Sequence, residues 1–151
     1  MSVATREFHD EDLALLYGFI TSGNVEGAIA LLEKLDELSR KSTIRIIKIH
    51  MVVLLVHLIK QQAEGRTTKS WECSIANAVA DIQWENQRSS GSTYLTVEEL
   101  EAIFLRAWPT ALRHAAIEVD AGIHSDRELD LIVGRDVIRL RALSLVEGGL
   151  G

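Results

Sequence analysis

Cysteine, proline and the familiar catalytic motifs are scarce in this chain of 151 residues, which holds one cysteine and one proline. The lone Cys73 excludes an intrachain disulfide and a cysteine-rich metal site. No HExxH or CxxC sequence, no glycine-rich phosphate loop and no serine-hydrolase elbow occurs. We therefore predict no catalytic residue, no metal site and no cofactor, and the sequence leans away from an enzyme.

Positive charge is in the minority, since 16 Lys and Arg stand against 22 Asp and Glu and give a formal net charge of −6. An acidic chain repels nucleic acid phosphates unless a basic patch intervenes, so a nucleic acid partner is not expected.

The opening residues hold no apolar signal-peptide core, and Arg45, Lys48, His50 and His57 interrupt the longest apolar run. These features predict a cytoplasmic protein without a membrane partner.

Apolar residues recur at helical spacing along most of the chain, and hydrophobic residues make up 47% of it. A first short helix is capped by Asp10 and ends at residues 22–24, Ser-Gly-Asn. A second helix starts at Val25 and ends at Gly65, and it is either continuous or bent within residues 39–43.

The second half of that long helix is apolar on nearly every side. One face carries the residues Ile44, Ile47, Met51, Leu54, Leu55 and Leu58. Other apolar residues cover most of the remaining surface, and only Arg45 and Lys48 mark a polar strip. Such a helix belongs in the middle of a bundle or beneath a partner chain, and we favour the bundle.

A third helix follows the turn at Gly65, with Thr67, Thr68 and Ser70 as alternative caps, and runs to about residue 88. Trp71 is its first large apolar residue. One stripe holds Trp71, Ile75, Ala78, Val79 and Ile82, and another holds Cys73, Ala76, Ala80 and Trp84. Two apolar faces predict two neighbours for this helix, with Cys73 packed in the interior.

The last third of the chain begins with the clearest boundary signal, a capping box at Thr96 and Glu99. Its apolar stripe continues through Pro109, where we expect a kink, to Gly122. Residues 125–128 form a second capping box, so a further helix is favoured there. A β-hairpin turning at residues 134–136 remains the alternative.

The predicted fold is therefore a single all-α domain over residues 1–151. We expect a bundle of four or five helices whose centre is a hydrophobic helical hairpin, formed by the second and third helices. In the C-terminal segment a helix is favoured and a small β-hairpin is the alternative, because short apolar runs occur in both.

Three stretches resemble the bacterial family known as domain of unknown function 29. They are Leu31-Leu-Glu-Lys-Leu-Asp-Glu-Leu38, Leu54-Leu-Val-His-Leu-Ile-Lys60 and Lys69-Ser-Trp71. The resemblance covers about residues 8–121 and implies a helical domain without a known activity, leaving residues 122–151 as an extension. The chain departs from the family pattern at Gln61, where an aromatic residue is usual, and at Ala76-Asn-Ala-Val-Ala80, which replaces an arginine-rich segment.

Six residues near the predicted turn form the candidate ligand site: His57, Lys60, Arg66, Lys69, Ser70 and Trp71. Lys60, Arg66 and Lys69 surround the start of the third helix, where free backbone N–H groups favour an anion. The simpler interpretation is a solvated turn. For His57 we favour a structural role over a ligand or metal role, with a hydrogen bond to Asn77 on the next helix.

The favoured function is a non-enzymatic interaction module that associates with itself or with another protein. The basis of this hypothesis is that apolar residues cover more than one face of the second and third helices, so that packing of a single face would leave apolar residues exposed. The alternative is a small-molecule or anion-binding protein, or an enzyme, that uses His57, Lys60 and Ser70. Nucleic acid binding through residues 40–48 is the weakest hypothesis.

Overall fold

The computed structural model describes residues 10–88 and 90–148 and shows a helical protein. The helices are α1 (Asp10–Thr21), α2 (Val25–Glu64), α3 (Lys69–Asn86), α4 (Val97–Glu118), α5 (Asp126–Val133) and α6 (Arg135–Gly148), with a 3₁₀ turn at Val119–Gly122 after α4. The predicted all-α class is confirmed. The described residues contain no strand, and one isolated β-bridge joins Gln87 and Thr93.

The C-terminal β-hairpin alternative is wrong, because α5 and α6 occupy that segment. The Ser125 hydroxyl accepts from the Glu128 N–H at 3.1 Å, and the Glu128 carboxylate accepts from the Ser125 N–H at 3.0 Å, so the predicted capping box starts α5. Gly134 adopts a positive φ of 78°. Its left-handed conformation ends α5 and separates it from α6, which raises the helix count above the predicted four or five.

Local signals also account for the start of α3 and α4. The Thr68 hydroxyl accepts from the Trp71 N–H at 3.0 Å, which selects Thr68 among the three predicted caps of α3. The Thr96 and Glu99 capping box opens α4 as predicted. α4 then continues through Pro109 to Glu118. The alternative of a break within residues 39–43 is not observed, since α2 is continuous there.

The chain divides into two compact units, one ending at Ile46 and one starting at Ile47. The amino-terminal unit contains α1 and the first part of α2. Its buried apolar residues are Ala28, Leu31 and Leu35, and α1 contributes no buried residue. Few side chains therefore form the interior of this unit.

The carboxy-terminal unit contains the larger core. In it α4 packs against α5 and α6, and α3 packs against α6. Its largest fully buried apolar side chains are Ile47, Met51, Leu54, Leu55, Leu58, Ile59, Ile82, Phe104, Val119, Leu129 and Ile138. The predicted apolar face of α2 is therefore buried from Ile47 onwards, whereas Ile49 and Val53 remain exposed.

α2 is the one described helix that is long and apolar enough to span a membrane. An 18-residue window within it has a mean hydropathy of 1.8, and 44% of that window is buried inside the structure. The core helix of a soluble protein meets the same criteria, so this is weak evidence for a membrane span. The absence of a membrane partner stays a prediction.

One face of α3 differs from its prediction. Trp71, Ile75, Ala78 and Ile82 are buried as expected. Cys73, Ala76 and Ala80 are exposed, however, and Trp84 is 66% exposed. The expectation of an interior Cys73 is wrong, because Cys73 and the other residues of this second apolar face are exposed in the described structure.

Candidate functional site

The six predicted site residues lie where α2 ends, at the turn, and where α3 begins. The structure brings Lys60, Arg66 and Trp71 together: the Lys60 ammonium and the Arg66 guanidinium each lie 4.7 Å from the centre of the Trp71 ring. Lys69 and Ser70 are exposed on the first turn of α3. The site is therefore built around one tryptophan with two cations.

Lys60 is the most unusual member, since this lysine is only 6% exposed. Its ammonium donates to the Glu118 carboxylate at 3.1 Å, near the end of α4. A buried charge is costly unless it is paired, and here the carboxylate and the electron-rich indole face both compensate it. Lys60 thereby ties α2 to α3 and α4.

Arg66 belongs to a second chain of polar contacts. The Arg66 side chain lies 2.8 Å from the Glu64 carboxylate, and the other oxygen of Glu64 accepts from the Asp120 N–H at 3.2 Å. Asp120 has a positive φ of 47°, and its carboxylate lies 2.9 Å from Nε2 of His124. Glu64 thus satisfies a backbone donor in the strained turn that follows α4.

Three acidic residues in the contacts of Lys60 and Arg66 are not predicted from the sequence: Glu64, Glu118 and Asp120. Glu118 is 58 positions from Lys60 along the chain, and Asp120 is 56 positions from Glu64. No short motif links residues so far apart. The sequence offers one indirect signal, a lysine that directly follows an apolar helical segment, because a lysine that becomes buried there requires an acidic partner.

His57 lies one turn before Lys60 on α2. The predicted hydrogen bond to Asn77 is wrong, because the Asn77 amide lies 3.7 Å from Cys73 Sγ and Nδ1 of His57 has no partner in the described structure. Oε1 of Gln61 is likewise buried without a partner, while its amide nitrogen donates to Thr67 at 2.6 Å. Two buried polar atoms four residues apart on one helix face are therefore unsatisfied.

Burial lowers the pKa of His57 below its ordinary value of 6.5, the Lys60 ammonium lowers it further, and Glu118 opposes this effect. The unfolded chain therefore takes up the His57 proton at a higher pH than the folded chain. The stability from neutral His57 is complete above pH 6.5 and is lost as the pH falls through the lowered folded pKa.

We expect His57→Gln to flatten the pH dependence of stability. Glutamine has no ionisable group, so the variant lacks the acid-linked loss at this position. The measurement is the free energy of unfolding by urea at about pH 8 and about pH 5, and the loss between the two pH values should be smaller in the variant than in the parent chain. Parallel curves for the variant and the parent chain would contradict the assignment.

The chemistry available at this site is limited by its pairing. Lys60 is occupied by Glu118 and Trp71, and Arg66 is occupied by Glu64 and Trp71. Within the described ranges no three His, Cys, Asp or Glu side chains gather where they could hold a metal ion. The cluster is arranged to join helices, and anion binding by the six residues stays a prediction.

One protein family matches the segment of the chain that contains all six candidate residues. The family model described as Domain of unknown function DUF29 matches residues 28–125, which include the His57-Leu-Ile-Lys60 and Ser70-Trp71 sequences. No curated protein and no solved structure matches the chain. The matched segment begins after α1 and ends before α5.

Proposed function

The chain belongs to the family Domain of unknown function DUF29, and from its geometry we propose that it is a non-enzymatic helical interaction module that pairs with a second copy of itself. The observation that carries this proposal is the apolar surface of the amino-terminal unit. We further propose a cytoplasmic location, a single domain over residues 1–151, and a helical bundle centred on the α2 and α3 hairpin.

Among the described residues of the amino-terminal unit, more large apolar side chains are exposed than buried. Eight of its large apolar side chains are 44–71% exposed: Leu13, Leu15, Tyr17, Ile20, Val25, Ile29, Leu32 and Leu38. Large exposed apolar patches on soluble proteins mark interaction sites. Two helices bury too little to form a core of their own, and a second helical pair supplies the missing surface.

On α2 this surface forms an ordered stripe. Val25, Ile29 and Leu32 recur at helical spacing and are exposed, while Ala28, Leu31 and Leu35 form the adjacent stripe and are buried. The apolar side of the helix is thus wide, and only half of it is covered. A symmetric dimer would cover the exposed half by placing the same stripe of two copies together.

We expect the full chain to have the mass of a dimer by light scattering at tens of micromolar, and the variant Ile29→Glu with Leu32→Glu to have the mass of a monomer. Two carboxylates in the apolar contact would lose their hydration without gaining partners, which disfavours association. Both positions are exposed, so the helical circular dichroism signal should be retained.

Ala30→Glu is the matched control, because Ala30 is exposed on α2 but points away from the exposed stripe. This variant should remain dimeric. A monomeric parent chain would overturn the proposal, as would a double variant that keeps the dimer mass.

The alternative function is that of a small-molecule or anion-binding protein, or an enzyme, that uses the region of His57, Lys60 and Ser70. One observation favours it: Nδ1 of His57 and Oε1 of Gln61 are buried without partners in the described structure. Against it, Lys60 already pairs with Glu118. Thermal shifts with phosphate and a panel of metabolites distinguish the two functions, since a dimerisation module has no reason to respond.

A further inference from the structure

A cavity of about 790 Å³ lies in the carboxy-terminal unit, away from the residues of the candidate site. It opens between the end of α3, the loop before α4, the first turn of α4 and the end of α6. Its volume is in the range of about 300–1,000 Å³ that is common for small-molecule sites. No residue of the candidate ligand site lines it.

Most of the surface that lines the cavity is apolar, and polar groups come from Gln83, Asn86, Gln87, Thr93 and Thr96. Leu95, Leu100 and Val146 are buried residues that contribute to it, and each is at most 4% exposed. Trp84 also lines the cavity but is largely exposed, which places its indole towards the opening. A ligand in this cavity would therefore meet apolar side chains inside and an aromatic face near solvent.

The charges around the cavity have one sign. Glu98 and Glu147 line it, and no Lys, Arg or His is present among its described lining residues. The last residues of α3 and of α6 also contribute, but the carbonyl groups of Trp84, Asn86 and Val146 there already accept hydrogen bonds. The negative charge at the cavity therefore comes mainly from the two glutamates. The start of α4 has the opposite polarity, but its capping box already occupies the Glu99 N–H.

We propose that this cavity binds a small amphiphilic amine, with the apolar body against Leu95, Leu100 and Val146. Its ammonium group lies at the opening, beside the carboxylates of Glu98 and Glu147 and the indole of Trp84. Carboxylates and an aromatic face both attract an ammonium ion, and apolar walls reward burial of a hydrocarbon body. The proposal is independent of self-association, which uses the amino-terminal unit.

Three probes of similar body and different charge test it on the full chain: 2-phenylethylamine, 2-phenylethanol and 3-phenylpropionate. Titrations up to about 10 mM, followed by amide and indole N–H shifts in NMR spectra, cover the weak affinities expected of ligands this small. The amine should bind at least about threefold more tightly than the alcohol, and the carboxylate should bind most weakly. The Trp84 indole signal should shift with the amine.

The double variant Glu98→Gln with Glu147→Gln should weaken binding of the amine by about fivefold and leave binding of the alcohol unchanged, because exposed ion pairs contribute modestly. Glu33→Gln, an exposed glutamate in the other unit, is the matched control and should bind like the parent chain. The proposal is overturned if the carboxylate probe binds as tightly as the amine, if no probe shifts the lining residues, or if the double variant binds the amine unchanged.

Discussion

Phe104→Ala is expected to lower the free energy of unfolding by about 3–5 kcal/mol, the range that is usual for removal of a fully buried aromatic side chain. Phe104 is completely buried on α4, and its ring centre lies 5.5 Å from that of Trp108. Removal of the ring loses apolar burial and an aromatic contact, and it leaves a cavity that the helices only partly fill. Urea unfolding followed by circular dichroism measures the loss.

Leu105→Ala provides the comparison on the same helix, because Leu105 is the next residue and is 49% exposed. Its loss should be below about 1 kcal/mol, as is usual for surface substitutions. If the two variants lost equal stability, α4 would not be oriented with Phe104 towards the core.

α4 is the element that the sequence predicts best, because two independent signals agree on it. The capping box at Thr96 and Glu99 marks its start, and Leu100, Phe104 and Trp108 follow at helical spacing and are buried. Agreement between a local cap and a periodic apolar face leaves little freedom for another structure. The same agreement between a capping box and buried apolar residues explains why the segment after Ser125 forms α5 and not a β-hairpin.

Beyond Gly134 the sequence predicts the helix but not its orientation. Leu129, Val133, Val137 and Leu140 recur at helical spacing in the sequence, yet Val137 and Leu140 are exposed and Ile138 is buried. Gly134, with its positive φ, interrupts the helix and resets its rotation, so spacing counted across the glycine fails. Periodicity is informative only within an uninterrupted helix.

Periodicity also identifies an apolar face without showing whether a neighbour covers it. Trp71 and Trp84 both lie on apolar stripes of α3, but one is buried and the other is exposed. The difference depends on which helices pack nearby, and that information is distributed over the whole chain. The sequence alone therefore does not show which apolar stripe of a helix stays exposed in the folded unit.

The sequence places the six candidate residues near one turn, but it does not predict their contacts. In the structure His50 lies 3.7 Å from Asp81, and Lys60 lies over Trp71, so paired residues in α2 and α3 have numbers that sum to 131. The predicted pair, His57 and Asn77, has numbers that sum to 134. A displacement of three residues shifts the contact by about 4.5 Å along a helix, which removes Asn77 from the reach of His57.

Lys60→Glu is expected to destabilise the chain by about 3–5 kcal/mol, since it removes the partner of one charge and buries another of the same sign. The new carboxylate would face Glu118 in place of the ammonium that now lies 3.1 Å away, and it would lose the favourable contact with the Trp71 ring. The loss should be smaller at about pH 5, where a raised pKa lets the new carboxyl take up a proton. Urea unfolding at the two pH values measures both effects.

Two further variants separate charge from packing. Lys60→Met keeps an unbranched apolar chain in the buried position and leaves Glu118 able to reach solvent, because its side chain is 58% exposed. This variant should stay within about 1 kcal/mol of the parent chain, as buried ion pairs are often replaceable by apolar residues of similar volume. Lys69→Glu, the same charge change on an exposed residue of α3, should have little effect. Equal losses in Lys60→Glu and Lys69→Glu would show that net charge, and not the buried contact with Glu118 and Trp71, sets the stability.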